Sequence, residues 1–288
     1  MYIFARRSVN TLIMMVPLLI ILISLSIYPF ISLIQMSFSS FSLEKGFQFT
    51  GLKNFARFWG DSRAWDSIVK TFIYVFASVS LELFIGLGLA LIVKGKYRSA
   101  IRTILIIPML VAPVAVGLIW RLIYDPSFGV LNSLLQRIGI QGGSWLADPK
   151  IAMAAIIVVE VWQFTPFVFL ILLAGLESLP SEVYEAARVD GASPWQAFHY
   201  LTLPLLSPII LIALLFRTAE CFKSFDKLWV MTAGGPGTAT EIITMYIYRV
   251  SFRWSQLGYG ALLALIMVIF IVIYNLSYMS YLKKLRRA

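Results

Sequence analysis

Six long apolar segments constrain this chain more than any other feature of its sequence. They cover residues 11–36, 68–93, 101–124, 151–176, 205–231 and 260–281. Each is long enough to cross about 30 Å of hydrocarbon as an α-helix. The chain is 60% hydrophobic and 13% charged, whereas soluble domains carry about 25% charged residues. We therefore predict an all-α, polytopic membrane protein with six transmembrane helices in a single domain over residues 1–288.

Basic residues are concentrated in three of the segments outside these spans. Segments 1–10, 94–102 and 281–288 hold ten Lys/Arg in 27 residues, and three other segments hold eleven in 95. The dense set is Arg6, Arg7, Lys94, Lys96, Arg98, Arg102, Lys283, Lys284, Arg286 and Arg287. Because Lys and Arg concentrate in cytoplasmic loops, this set predicts that both termini are cytoplasmic. The same bias explains the net charge of +10, so no nucleic-acid partner is expected, since no basic face free of apolar runs exists.

The segment between the fourth and fifth spans, residues 177–204, is polar and rich in Ala and Gly, and parity places it in the cytoplasm. Ser181 can cap a helix, and Gly191 can adopt the left-handed conformation that ends one. A second helix start follows at Ser193, with Pro194 at the first helical position and Gln196 where a capping box has Glu or Gln. These signals predict a helix, a tight turn and a second helix leading to Pro204. The residues alone leave open a solvated connecting loop or a docking element for a cytoplasmic partner.

The sequence EAARVDGASPWQAFHYLTLP in this loop resembles the cytoplasmic signature of permease subunits of binding-protein-dependent ABC importers. Leu201 stands where that family usually has Ile, which is a mild departure. In the family the loop forms a coupling helix that sits in a groove on the ATPase subunit. The resemblance implies an ATPase-coupling role for the matching residues Glu185, Ala186, Ala187, Gly191, Leu203 and Pro204.

Two further segments extend the resemblance over nearly the whole chain, towards the sugar-importing branch that includes the maltose and glycerol-phosphate permeases. They are TGLKNFARFW from Thr50 and FDKLWVMTAGGPGTATE from Phe225. The resemblance implies a multi-pass subunit of the bacterial plasma membrane. Its implied partners are a second permease subunit, two ATP-binding subunits and an extracytoplasmic sugar-binding protein, besides the lipid bilayer.

The chain carries no phosphate-binding loop of the form G-x-x-x-x-G-K-[ST]. The nearest text is GLGLALIVKGK, which has Ala90 where a Gly is needed and Tyr97 after Lys96. We therefore expect no enzymatic activity and no cofactor in this chain, with ATP and Mg in the partner ATPase subunits. No metal is expected either, because His199 and Cys221 are the only residues of their types and have no partners at ligand spacing.

Two groups of polar and aromatic residues interrupt the fourth and fifth apolar spans. Ionisable groups at such depth are costly and mark functional candidates. The groups are Glu160, Gln163, Phe164 and Phe167 in the fourth span, and Arg217, Glu220, Cys221 and Ser224 in the fifth. Each has the spacing i, i+3, i+4, i+7, which puts it on one helix face.

These faces allow two interpretations. One is a structural ion pair of Arg217 with Glu160 or Glu220 that fixes the helix packing. The other is a substrate site, in which acids and amides bind sugar hydroxyls and aromatic rings stack on the sugar. The resemblance favours the second, since the sugar contacts of maltose-type permeases fall on the same two spans. Arg217 can also bind an anionic group, which makes an acidic sugar derivative a further hypothesis.

Two rival functions differ from that of an ATP-driven sugar permease. An ion-coupled secondary transporter predicts an internal repeat, which the sequence does not show, and transport without an ATPase. A membrane scaffold without substrate predicts that mutating the two polar groups changes only stability.

Overall fold

The structure is a computed structural model that describes residues 14–42, 46–93 and 98–285. Residues 11–13 of the first predicted span lie outside these ranges, as do the basic residues Arg6, Arg7, Lys94, Lys96, Arg286 and Arg287. The chain forms two compact units, one from residues 1–64 and 246–269 and the other from 65–245 and 270–288. The single domain over residues 1–288 stays a prediction, as does the cytoplasmic position of the termini.

The residues that the structure describes are mostly helical. Its helices are α1 (Met14–Ser37), α2 (Lys53–Gly60), α3 (Ser62–Ile92), α4 (Arg98–Leu110), α5 (Pro113–Ile123), α6 (Val130–Arg137), α7 (Ala152–Glu177), α8 (Ser181–Val189), α9 (Pro194–Phe222), α10 (Asp226–Thr232), α11 (Ile243–Tyr248) and α12 (Leu257–Leu285). Strands β1 (Ser39–Ser42) and β2 (Gly46–Phe49) pair antiparallel, with Phe41 opposite Phe47. Helices α1, α3, α7, α9 and α12 contain stretches long and apolar enough to span a membrane, and the bent pair α4 and α5 adds a sixth if counted as one span.

The third predicted span, 101–124, is not one straight helix. Its two halves, α4 and α5, meet at an angle of 93°. Ala112, which precedes Pro113, has φ −57° and ψ 136°, because the proline ring disfavours the helical conformation of the residue before it. The chain therefore turns sharply between Leu110 and Pro113.

The fifth predicted span, 205–231, is wrong at both ends. Helix α9 begins at Pro194 and passes through a π-helical turn at Phe198–Thr202, so the loop's second helix continues into the membrane segment. It ends at Phe222, and a break precedes α10, where Phe225 has φ −147° and ψ −57°. Residues such as Lys227 therefore belong to a separate short helix.

The predicted helix, tight turn and second helix correspond to α8, the turn at Gly191 and the first turn of α9. Gly191 has φ +77°, as expected for a helix stop. Ser193 and Gln196 form the predicted capping box in both directions. Ser181 is not the cap, because the residue before the first helix is Pro180 and no side chain caps that end.

The second unit has an apolar core between α3, α7 and α9. This core consists of Ala90, Val93, Val168, Phe169, Leu172, Leu173 and Leu206. Phe167 packs against it. A separate contact joins α5 to α10 at Gly117, where a Cβ atom would lie 2.8 Å from the carbonyl oxygen of Lys227. Only glycine allows so close an approach, so α5 and α10 pack backbone to backbone.

In the first unit, Asp61 links three helices just before α3 begins. Its Oδ2 accepts hydrogen bonds from the hydroxyls of Tyr246 and Tyr259, each at 2.6 Å. Its Oδ1 accepts from the backbone N–H groups of Arg63 and Ala64. Burial raises the pKa of Asp61, but these four donors outweigh it and hold that pKa below its ordinary value.

Candidate functional site

Four charged side chains meet in the interior of the second unit. Glu82 comes from α3, Glu160 from α7, Arg217 from α9 and Lys227 from α10, and none is more than 3% exposed. We call these four residues the charge cluster. Its two acids balance its two bases, which is how a low-dielectric environment tolerates ionised groups.

Arg217 is the centre of the charge cluster. Its Nε and Nη2 donate to the two carboxylate oxygens of Glu82 at 2.6 and 2.8 Å, a bidentate arrangement. Nη2 also donates to Oε1 of Glu160 at 2.7 Å. One guanidinium therefore joins α3, α7 and α9.

Glu160 and Lys227 extend the network to α10 and to the bend between α4 and α5. Oε2 of Glu160 accepts from the Tyr74 hydroxyl at 2.6 Å and forms an ion pair with Lys227. Lys227 Nζ donates to Gln163 at 2.7 Å, and the amide of Gln163 donates to the carbonyl of Val111 at 3.1 Å. Val111 lies in the bend between α4 and α5, so the network reaches the point where these two helices meet at 93°.

An aromatic ring lies under both cations. The Arg217 guanidinium is 4.2 Å from the centre of the Phe164 ring, and Lys227 Nζ is 4.5 Å from it. Such cation–π contacts strengthen when the cation is desolvated. Phe164 thereby keeps the two cations side by side.

A cavity of about 160 Å³ opens beside the charge cluster. Its lining residues are Pro113, Glu160, Phe164, Arg217, Glu220, Lys223, Ser224, Phe225, Asp226 and Lys227. The wall thus combines an aromatic face with acids, cations and a hydroxyl. This combination suits a ligand that has several hydroxyl groups and an apolar ring face.

The predicted site residues lie in different environments. Glu160, Phe164, Arg217, Glu220 and Ser224 line the cavity, and Gln163 joins the network behind it. Cys221 is buried, and Phe167 belongs to the apolar core instead of the cavity. Glu220 is exposed and pairs with Lys223 at 2.6 Å, so the partners of Arg217 are Glu160 and Glu82. The role of the predicted site residues as substrate contacts stays a prediction.

Sequence reasoning missed Glu82, Tyr74 and Lys227. Glu82 interrupts the second apolar span, so the rule that marked Glu160 and Arg217 also marks it. Lys227 lay in the predicted fifth span and gave the same signal. Tyr74 gave none, because a tyrosine in an apolar span is ordinary until its hydroxyl is found on a carboxylate.

The predicted coupling residues lie mostly at the surface of the loop that contains α8. Glu185, Ala186, Gly191 and Pro204 are exposed, and Ala187 and Leu203 are half-buried. Large apolar side chains accompany them, with Val189 88% and Trp195 72% exposed. The docking role of this surface stays a prediction.

A family model described as "binding-protein-dependent transport system inner membrane component" matches residues 82–287. This match includes α7, α9, α10 and the loop containing α8. The chain belongs to this family. It is therefore a multi-pass permease subunit of the membrane, and its all-α fold is that of such permeases.

Curated relatives agree with the family. The permease is 35% identical over 272 residues to a trehalose/maltose transport system permease protein of Thermococcus litoralis, covering 93% of this chain and 91% of the relative. It is 37% identical over 258 residues to a sulfoquinovosyl glycerol transport system permease protein of Agrobacterium fabrum, covering 88% and 84%.

A solved structure has the same fold. It is a bacterial ABC transporter involved in the import of the acidic polysaccharide alginate, and one of its chains superposes with a TM-score of 0.84 at 23% identity. The superposition covers 98% of both chains. At this identity the similarity concerns the fold of the permease.

Proposed function

We propose that this permease translocates a sugar or sugar derivative delivered by an extracytoplasmic binding protein. The observation that carries the proposal is the cavity beside the charge cluster, which offers hydroxyl-binding groups around the Phe164 ring. The names of the relatives that transport trehalose or maltose and sulfoquinovosyl glycerol support the same substrate class.

The charged residues on the wall of the cavity bear on whether that sugar is neutral or acidic. The wall carries three carboxylates, from Glu160, Glu220 and Asp226, and three cations, from Arg217, Lys223 and Lys227. A wall without net charge favours a neutral sugar. The second candidate is an acidic sugar, which the adjacent cations Arg217 and Lys227 favour. Its acidic group would have to compete with Glu82 and Glu160 for these two cations.

The proposed assembly has two ATP-binding subunits, which supply ATP and Mg, and a second permease subunit in the bacterial plasma membrane. The exposed face around Glu185 and Gly191 would contact an ATPase subunit, since small residues permit close approach of another backbone. Closure of the ATPase subunits would then move α8 and, through the continuous α9, Arg217. Helix α9 runs without a chain break from Pro194 to Phe222.

The test measures the rate of ATP hydrolysis by the reconstituted assembly. The rate is compared between binding proteins loaded with different sugars. Gly191→Val and Gly139→Val form a matched pair, because both glycines have φ near +78° and open space around the Cβ position. We expect the first to abolish sugar-stimulated hydrolysis and the second to keep it. Intact stimulation in Gly191→Val contradicts the coupling role, and uptake without ATP supports the ion-coupled rival.

The substrate class has its own test in proteoliposomes. Arg217→Ala should reduce uptake of an acidic sugar more than that of its neutral analogue if the site binds the acid. Equal loss for both, from a variant whose assembly remains intact, rejects the acidic candidate. Wild-type uptake of neither sugar, with a stable assembly, supports the scaffold rival.

A further inference from the structure

Helix α2 lies between two membrane-spanning helices and is tied closely to both. The side-chain amide of Asn54 donates to the carbonyls of Ser37 and Ser39, each at 2.9 Å, and Ser37 is the last residue of α1. At the other end Asp61 alone separates α2 from α3, which begins at Ser62. These hydrogen bonds and the single linking residue hold α2 beside the end of α1 and the start of α3.

One face of α2 already has its partners in the protein. Phe58 is 5% exposed, and the ring of Phe55 packs on that of Phe38 with centroids 4.9 Å apart. Together with Asn54, these residues form the face of α2 that packs against the rest of the first unit. Other side chains of α2 are exposed and can contact molecules outside the chain.

The outward part of α2 has an apolar stripe beside a basic one. Leu52, Ala56 and Trp59 have the spacing i, i+4, i+7 and share one stripe. Leu52 is 66% and Trp59 73% exposed. Lys53 follows Leu52 and Arg57 follows Ala56, so the neighbouring stripe is basic. Both side chains are exposed.

We propose that α2 is an interfacial anchor that binds anionic phospholipid, with Leu52 and Trp59 in the acyl-chain boundary and Lys53 and Arg57 at the headgroups. Trp prefers this depth because its ring is amphipathic. Lys and Arg stems lie along apolar surface while their charges reach the headgroup phosphates. Arg57 also lies over the Tyr259 ring at 4.0 Å, which orients its guanidinium.

The depth of Trp59 tests the proposal in the full-length protein reconstituted in nanodiscs of phosphatidylglycerol and phosphatidylcholine. The difference in fluorescence between the wild type and Trp59→Phe reports Trp59 alone. We expect quenching of this signal by lipids brominated near the headgroup and protection from aqueous iodide. Trp195→Phe provides the matched control, because Trp195 is 72% exposed in the first turn of α9. Iodide quenching of Trp59 without quenching by bromolipid overturns the proposal and assigns the stripe to a soluble protein partner.

Lipid charge is tested by placing the bromine on phosphatidylglycerol or on phosphatidylcholine at equal mole fraction. We expect about fivefold enrichment of the anionic lipid per cation, hence stronger quenching by brominated phosphatidylglycerol. Lys53→Gln should remove much of this preference, whereas Arg137→Gln, an exposed cation on α6, should keep it. Equal quenching by the two lipids overturns the anionic headgroup. Neither measurement involves transport, so their failure leaves the proposed function untouched.

Discussion

Arg217 is the centre of the buried charge cluster in the second unit. It donates hydrogen bonds to both Glu82 and Glu160, and both carboxylates are fully buried, with an exposure of 0%. A buried ion pair that loses one partner leaves an uncompensated charge in a low-dielectric environment. The cost of removing Arg217 therefore comes from what its loss does to Glu82.

We expect Arg217→Met to lower the free energy of unfolding by about 3–5 kcal/mol. The double variant with Glu82→Gln should regain most of it, because no charge is then left alone. Thermal unfolding can be followed by the reaction of the buried Cys221 thiol with a dye. The control is Arg102→Gln, whose pair with Glu177 is 39% and 41% exposed, and we expect a loss of about 0–1 kcal/mol. Equal effects of the two single variants contradict the role of burial.

Asp61 gives the first unit a dependence on pH. Its pKa in the folded protein is lowered by the hydroxyls of Tyr246 and Tyr259 and by two backbone donors, despite burial. A group with a lowered pKa stabilises the protein above its unfolded pKa of about 4, and this contribution falls as the pH drops through the folded pKa. We expect the difference in melting temperature between wild type and Asp61→Asn to shrink on acidification from pH 6. Tyr246→Phe should reduce this pH dependence, and an unchanged profile argues against the hydrogen bonds as its cause.

At the scale of elements, the bend between α4 and α5 and the break after α9 bring two short helices into contact. Helix α5 follows the bend, α10 follows the break, and the two pack at Gly117. Lys227 at the start of α10 then reaches Glu160 and Gln163. The contact between α5 and α10 therefore determines where one of the four charges lies.

Gly117→Val should push α10 away and displace Lys227. The added Cβ would lie 2.8 Å from the Lys227 carbonyl oxygen and 3.1 Å from its Cα, so we expect a loss of about 1–3 kcal/mol in the free energy of unfolding. Gly88→Val introduces the same side chain into α3, where nothing lies within 4 Å, and should cost less. Thermal unfolding of both variants measures the difference. Equal losses show that the α5–α10 contact tolerates a side chain.

At the scale of the whole molecule, the chain leaves large apolar surface outside its own core. The candidate span within Met14–Ser37 has 0% of its residues buried, and Val189 and Trp195 are exposed on the loop around α8. Lipid and the proposed partner subunits would cover these surfaces. A ligand that binds only the folded protein stabilises it by mass action.

Purified ATPase subunit should therefore raise the melting temperature of the permease in a concentration-dependent way. At a concentration of 100 times Kd the expected gain is about 2.7 kcal/mol. Val189→Asp, on the exposed loop, should weaken this effect without lowering the melting temperature of the permease alone. Stabilisation that is unchanged by the variant excludes this part of the loop from the contact.

The sequence alone predicted the all-α class and the positions of most spans, because a helix that crosses hydrocarbon must be long and apolar. It also predicted the stop at Gly191 and the capping box at Ser193, because these depend on neighbouring residues. The bend before Pro113 carried a local signal, but apolarity continued through it and concealed it. The break after Phe222 also carried a signal in Lys223, Asp226 and Lys227, but the apolar residues beyond them extended the predicted span.

Only the tertiary structure decided which charges meet. Glu82 and Arg217 are 135 positions apart, and no helical periodicity relates residues on different helices. Arg217 was expected to pair with Glu160 or Glu220. In the fold it pairs with Glu160 and with Glu82, whereas Glu220 pairs with Lys223. The sequence determined that buried ionisable residues must find partners, because an unpaired charge in hydrocarbon is costly, and the packing of α3, α7, α9 and α10 determined which partners they found.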